Sequence, residues 1–141
     1  MKINLIIFLS RFGVGGAGNS IFRLCKGLSK KKYNISIICL KNCPYGREFS
    51  KIGIKVYKIK SNKTFFAMSK VLNISKFLIS KKYKKNIFIS NIHYTNVLSL
   101  IFLRNLNNLK IVLVERTPLM ELSIYFGFID FIKKNIIKLL I

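Results

Sequence analysis

Five short runs of β-branched and other apolar residues, separated by stretches of helical periodicity, constrain this chain more than any other feature. Residues 3–9, INLIIFL, are continuously apolar apart from Asn4 and end at a glycine-rich segment. Such a run reads as a strand buried on both faces. Ile21, Leu24, Cys25 and Leu28 then recur at helical spacing and predict a helix over about 18–31, ended by Lys30, Lys31 and Lys32. NISIICL (34–40) is a second buried strand, and IKVYKIK (54–60) alternates as a third, more exposed one. Ala67, Val71, Ile74 and Leu78 mark a helix over about 64–82, and NIFIS (86–90) is a fourth strand. Val97, Leu100 and Ile101 lie on a largely apolar helix over 94–105, and KIVLV (110–114) is a fifth strand. From about 119 to 141 the pattern is helical again, with Phe128, Ile132 and Ile136 on one face and Lys133, Lys134 and Lys138 around it.

Strands alternating with helices require a parallel sheet with helices on both faces. Right-handed crossovers restrict the topology, and 3-2-1-4-5 is the simplest doubly wound order. The expected fold is therefore α/β and Rossmann-like, one domain of 141 residues. Half of those residues are apolar, enough for a substantial core.

A net charge of +22 suggests an anionic partner. The lysines, however, are dispersed along the chain, with Ile and Asn abundant throughout, as AT-rich coding sequence produces. No zinc-finger spacing, basic heptad or aromatic RNA-binding motif accompanies them, so a nucleic-acid partner is not expected. Cys25, Cys39 and Cys43 form no metal pattern and suit a reducing cytoplasm. The opening MKINLIIFLSR lacks a cleavage site and reads as a strand rather than a signal peptide. No apolar run is long enough to span a bilayer; residues 119–132 are interrupted by Glu121 and Asp130.

In a doubly wound sheet, ligands bind beyond the carboxyl ends of the strands, where the order reverses between strands 1 and 4. Residues 10–18, 90–94 and 114–118 converge there. They supply Ser10, Asn91, His93, Glu115, Arg116 and Thr117 as candidate site residues, with Gly15 and Gly16 for close backbone approach. Glycine-loop N–H groups and a helix amino terminus favour an anion such as phosphate. Gly13-x-Gly15-x-x-Gly18 spells a dinucleotide fingerprint, yet Ser10, Arg11 and Phe12 separate it from the strand. Strand 2 ends Leu40-Lys41-Asn42-Cys43, without the carboxylate that binds a ribose. A nucleotide-dependent oxidoreductase is the weaker alternative for that reason. A basic protein for nucleic acid or membrane surfaces is a third.

The stretch GVGGAGNSIFRLCKGLSKKKYNISIICL resembles the opening of family-four glycosyltransferases of the GT-B fold. EFSKIGIKVYKIK is similar to the short helix and third strand that follow there, and VLVERTPLMEL to the segment after strand 5 in polysaccharide-building members. Gly18-Asn19 stands where members often carry an acidic residue after Gly-Gly-Ala. The resemblance implies transfer of a sugar from a nucleotide-sugar donor to a hydroxyl of a glycan or lipid-linked acceptor, in cell-surface polysaccharide synthesis. No donor-binding domain is recognisable, so the chain is expected to be the acceptor-side half, with that domain supplied in cis or in trans. No metal or other cofactor is implied. The sequence holds only four carboxylates and no Asp-x-Asp. Gly15 and Gly16 would approach the diphosphate, and Ser10, Asn91, Arg116 and Thr117 would bind substrate. His93 would act on the acceptor hydroxyl, with Glu115 as acceptor ligand or base. The expected location is cytoplasmic; the basic last helix offers contact with the inner membrane face, with packing on the sheet or on the absent domain the slightly preferred alternative.

Overall fold

The computed structural model describes residues 1–10, 16–40, 43–61 and 63–115. Strands β1 (Ile3–Leu9), β2 (Tyr33–Leu40), β3 (Lys55–Ile59), β4 (Lys85–Asn91) and β5 (Leu109–Val114) alternate with helices α1 (Gly16–Gly27), α2 (Gly46–Lys51), α3 (Thr64–Leu78) and α4 (His93–Leu103). The five strands form one all-parallel sheet in the order β3-β2-β1-β4-β5. This is the doubly wound, Rossmann-like architecture expected from the sequence. The helix expected over 119–141 lies outside the described residues.

Side-chain alternation divides the core into two layers. Ile6, Phe8, Ile38, Leu40 and Phe88 point to one face and pack on Met68 and Val71 of α3 and on Leu98 and Leu103 of α4. Ile7, Leu9, Ile37 and Cys39 point to the other and pack on Ile21 and Cys25 of α1 and Phe49 of α2. The central strands are buried on both faces, which is why β1 reads as an unbroken apolar run.

Two helices differ from expectation. α1 stops at Gly27 rather than near residue 31, and Lys30–Lys32 sit in a turn closed by Lys32 and Tyr33 N–H donating to the Ser29 carbonyl. Gly27 weakens helix continuation there. Leu24, expected on the buried face, is exposed. In α4 the buried residues are Thr95, Asn96, Leu98, Ser99 and Leu103, whereas Ile101 is half exposed to solvent. A helix with apolar residues on all sides gives the sequence no contrast from which to choose a face.

The amino-terminal end of the sheet is pinned by a ladder of asparagines that sequence periodicity did not reveal. Asn4 is in register with Asn34 on one side and Asn86 on the other. Asn34 Nδ2 donates to Asn4 Oδ1 at 2.9 Å, and Asn4 Nδ2 donates to Asn86 Oδ1 at 2.9 Å and to the Leu78 carbonyl at 3.0 Å. Asn86 Nδ2 donates to the Ser80 carbonyl, and Asn86 Oδ1 also accepts from Ser80 N–H. Every polar atom of Asn4 and Asn86 is satisfied, so their burial costs little. Because pairing depends on register, a slip would unmake the whole ladder.

Candidate functional site

At the opposite end of the sheet, β1 and β4 are neighbours whose onward connections depart to opposite faces. The chain leaves β1 through half-buried Ser10 toward α1, whose first residue is Gly16. From β4 it passes directly into α4, which begins at His93. Two helix amino termini therefore flank the switch point, and the helix dipoles bring positive potential to it.

The β4–α4 junction is abrupt. Asn91 lies inside the strand, paired with Val114, rather than just beyond it as the sequence suggested. Ile92 alone makes the turn, at φ 78° and ψ 135°. A β-branched residue at positive φ is strained, by about 1–3 kcal/mol, and persists only where its surroundings impose it. Those surroundings are visible. Ile92 N–H donates to the Val114 carbonyl at 3.2 Å, and Thr95 Oγ1 donates back to the carbonyls of Asn91 and Ile92.

This turn sets His93 beside the residue after β5. His93 Nδ1 and Glu115 Oε2 are 3.0 Å apart, with both side chains partly exposed. With Nδ1–H donating to the carboxylate, the imidazole keeps its Nε2 lone pair, the tautomer of a general base. The sequence placed these residues on adjacent loops; their direct contact was not foreseen. Gly15, Arg116 and Thr117 lie outside the described residues.

Gly16 is exposed, and a Cβ built on it meets no atom within 4 Å. Its φ is not left-handed either, unlike that of Gly53 at 73°. Among the described residues nothing crowds a side chain at position 16.

Sequence reasoning missed the polar interior beneath the turn. Thr95, Asn96, Ser90 and Ser99 are buried, and Ser99 Oγ donates to Ser90 Oγ at 3.1 Å. Asn96 Nδ2 donates to the Val114 carbonyl at 3.1 Å. Asn91 is wholly buried, yet neither its Nδ2 nor its Oδ1 has a hydrogen-bond partner among the described residues; Asn96 Oδ1 also lacks one. The signal was present in NIHYTNVLS (91–99), where Asn91, Thr95 and Ser99 recur every four residues.

The cysteines stand apart from this chemistry. Burial pushes the Cys25 thiol up to about 12. Cys39 donates its S–H to Cys43, which, with burial, holds the Cys39 thiol far above the ordinary range; that bond, helped by Lys58, holds Cys43 below it. Among the described residues no cluster of three His, Cys, Asp or Glu is placed to hold a metal. Nor is any helix among them long and apolar enough to cross a membrane.

The fold thus defines a Rossmann-like α/β domain with a histidine–carboxylate pair at the carboxyl ends of β4 and β5. Comparison with protein families, with curated protein sequences and with solved structures gives no match.

Proposed function

We propose that this chain is the acceptor-side half of a glycosyltransferase that moves a sugar from a nucleotide-sugar donor to a hydroxyl of a glycan or lipid-linked acceptor. The observation that carries the reading is the His93–Glu115 pair, 3.0 Å apart at the switch point of a 3-2-1-4-5 sheet. The acceptor oxygen bonds to the anomeric carbon, the bond from that carbon to the diphosphate breaks, and the nucleoside diphosphate leaves with the electron pair. His93 Nε2 takes the acceptor proton while Glu115 stabilises the resulting imidazolium. The α1 amino terminus, approached at Gly16, supplies N–H groups to the leaving diphosphate. A donor-binding domain, in cis or in trans, provides the other wall of the cleft. The work is placed at the cytoplasmic face of a membrane, where lipid-linked acceptors reside.

The test is transfer of label from nucleotide sugars to polyprenyl-linked saccharides, using the chain together with a donor-binding domain of a family-four glycosyltransferase. Incorporation requiring both parts and falling about 10²–10⁴-fold in His93→Ala is expected. The same variant is expected to change kcat more than KM. Turnover by the 141-residue chain alone would overturn the half-enzyme reading. Micromolar binding of NAD(H) or NADP(H) by calorimetry would move the chain to the oxidoreductases.

A further inference from the structure

Asn91 carries an inference about what the crevice binds. Its carboxamide is fully buried, and both polar atoms lack partners among the described residues. A buried, unsatisfied amide is costly, and native folds rarely retain one without a reason. Its orientation follows from the pleat. Phe88 packs with the α3–α4 layer and Ile89 with the α1–α2 layer, so Asn91 faces the α1 side, beneath the crevice that α1 opens onto. It also immediately precedes Ile92, the strained residue that hands the chain to His93. An unsatisfied amide and a strained β-branched residue side by side are two independent local costs at one place, the pattern expected of a binding site.

The chemistry of the unpaired atoms selects the ligand. Asn91 offers two N–H donors and one carbonyl acceptor. Phosphate at neutral pH presents mainly ionised oxygens, which accept; one placed here satisfies Nδ2 and leaves the Asn91 carbonyl facing negative charge. A hydroxyl both donates and accepts, and satisfies the set. Charge points the same way. Lys and Arg make up 26 of 141 residues, yet residues 86–103 contain no charged residue at all. From Asn86 onward, β4 carries no Lys, Arg, Asp or Glu in a strongly cationic protein.

We infer that Asn91 forms a subsite for hydroxyl groups of a neutral polyol, and that phosphate is bound elsewhere in the crevice. The inference rests on the acceptor-side reading above and names the chemical class of the acceptor group, a neutral sugar. Its test is independent of transfer. The intact ¹⁵N-labelled chain is titrated with methyl glycosides of glucose, galactose, mannose and N-acetylglucosamine, and separately with inorganic phosphate. At least one glycoside is expected to shift the Asn91 side-chain NH₂ resonance with saturation in the millimolar range, and phosphate is expected to leave it unmoved. Asn91→Leu is expected to weaken that glycoside at least about tenfold. It should do so while melting at or above the parental temperature, because it removes a buried unpaired amide. A shift with phosphate alone, with neither probe, or with glycosides equally in Asn91→Leu would overturn the subsite. Glycoside binding without any transfer in the reconstituted enzyme would leave the subsite standing and remove the transferase reading.

Discussion

Asn86 and Asn91 stand on the same strand, five residues apart, and both are buried. Asn86, at the amino-terminal end, has every polar atom paired, to Asn4 and to the Ser80 backbone. Asn91, at the carboxyl end, has none paired among the described residues. The same side chain at similar burial thus stabilises one end of the sheet and taxes the other. Doubly wound folds divide labour along their strands in this way: the amino ends hold register, and the carboxyl ends are left open to chemistry. Strain follows the same division, with Ile92 adjoining Asn91 and no comparable outlier beside Asn86 among the described residues.

The largest effect is expected from Asn86→Leu. It removes the acceptor for one Asn4 N–H and both bonds to the Ser80 backbone, stranding several buried groups at about 1–3 kcal/mol each before relaxation. Urea unfolding is expected to show a loss of about 2–4 kcal/mol. A loss under about 1 kcal/mol would mean that the asparagine ladder does not fix the register.

Gly53→Ala forces a Cβ into the left-handed turn before β3, at φ 73°, and is expected to cost about 1–2 kcal/mol. Its contrast is Ile92→Gly, at the other kind of positive φ. That change relieves strain of about 1–3 kcal/mol, partly offset by the entropy glycine loses on folding. Ile92 is 36% exposed, so glycine also removes the packing of its buried part, and a net change within about 1 kcal/mol of zero is expected by thermal unfolding. A loss above about 3 kcal/mol would mean that the strain assigned to the site is absent.

Gly16→Ala is expected to have the smallest effect on stability, between neutral and a gain of a few tenths of a kcal/mol, since its Cβ enters open space. Binding of a nucleoside diphosphate to the completed enzyme is the sharper readout. If Gly16 serves backbone approach, affinity falls while melting temperature does not. A fall in both would make this glycine part of the turn.

The sheet was legible because Ile- and Val-rich runs buried on both faces have few other uses, and crossover handedness leaves few strand orders. The location of the site was legible for the same topological reason, which brought His93 and Glu115 to one edge before their contact was known. What stayed hidden depended on register or on local conformation. The Asn4–Asn34–Asn86 ladder exists only when three strands align, and each asparagine by itself reads as punctuation near the start of its strand. The buried polar face of α4 was hidden because Val97, Leu100 and Ile101 supplied an equally apolar alternative. Positive φ at Ile92 runs against the preference of the residue itself, so local propensity predicts the opposite of what tertiary context imposes.

The central claim is that the two ends of β4 have been put to opposite uses, and the most direct measurement compares Asn86→Leu with Asn91→Leu in the same urea-unfolding experiment. Leucine keeps the branched shape of asparagine and replaces the amide oxygen and nitrogen with methyl groups, at a larger volume. The account predicts opposite signs: a loss of about 2–4 kcal/mol at position 86 and a gain of about 1 kcal/mol at position 91, with m-values unchanged. If both substitutions destabilise the protein by similar amounts, Asn91 is a structural residue like Asn86, and the carboxyl end of the sheet holds no amide in reserve for a ligand.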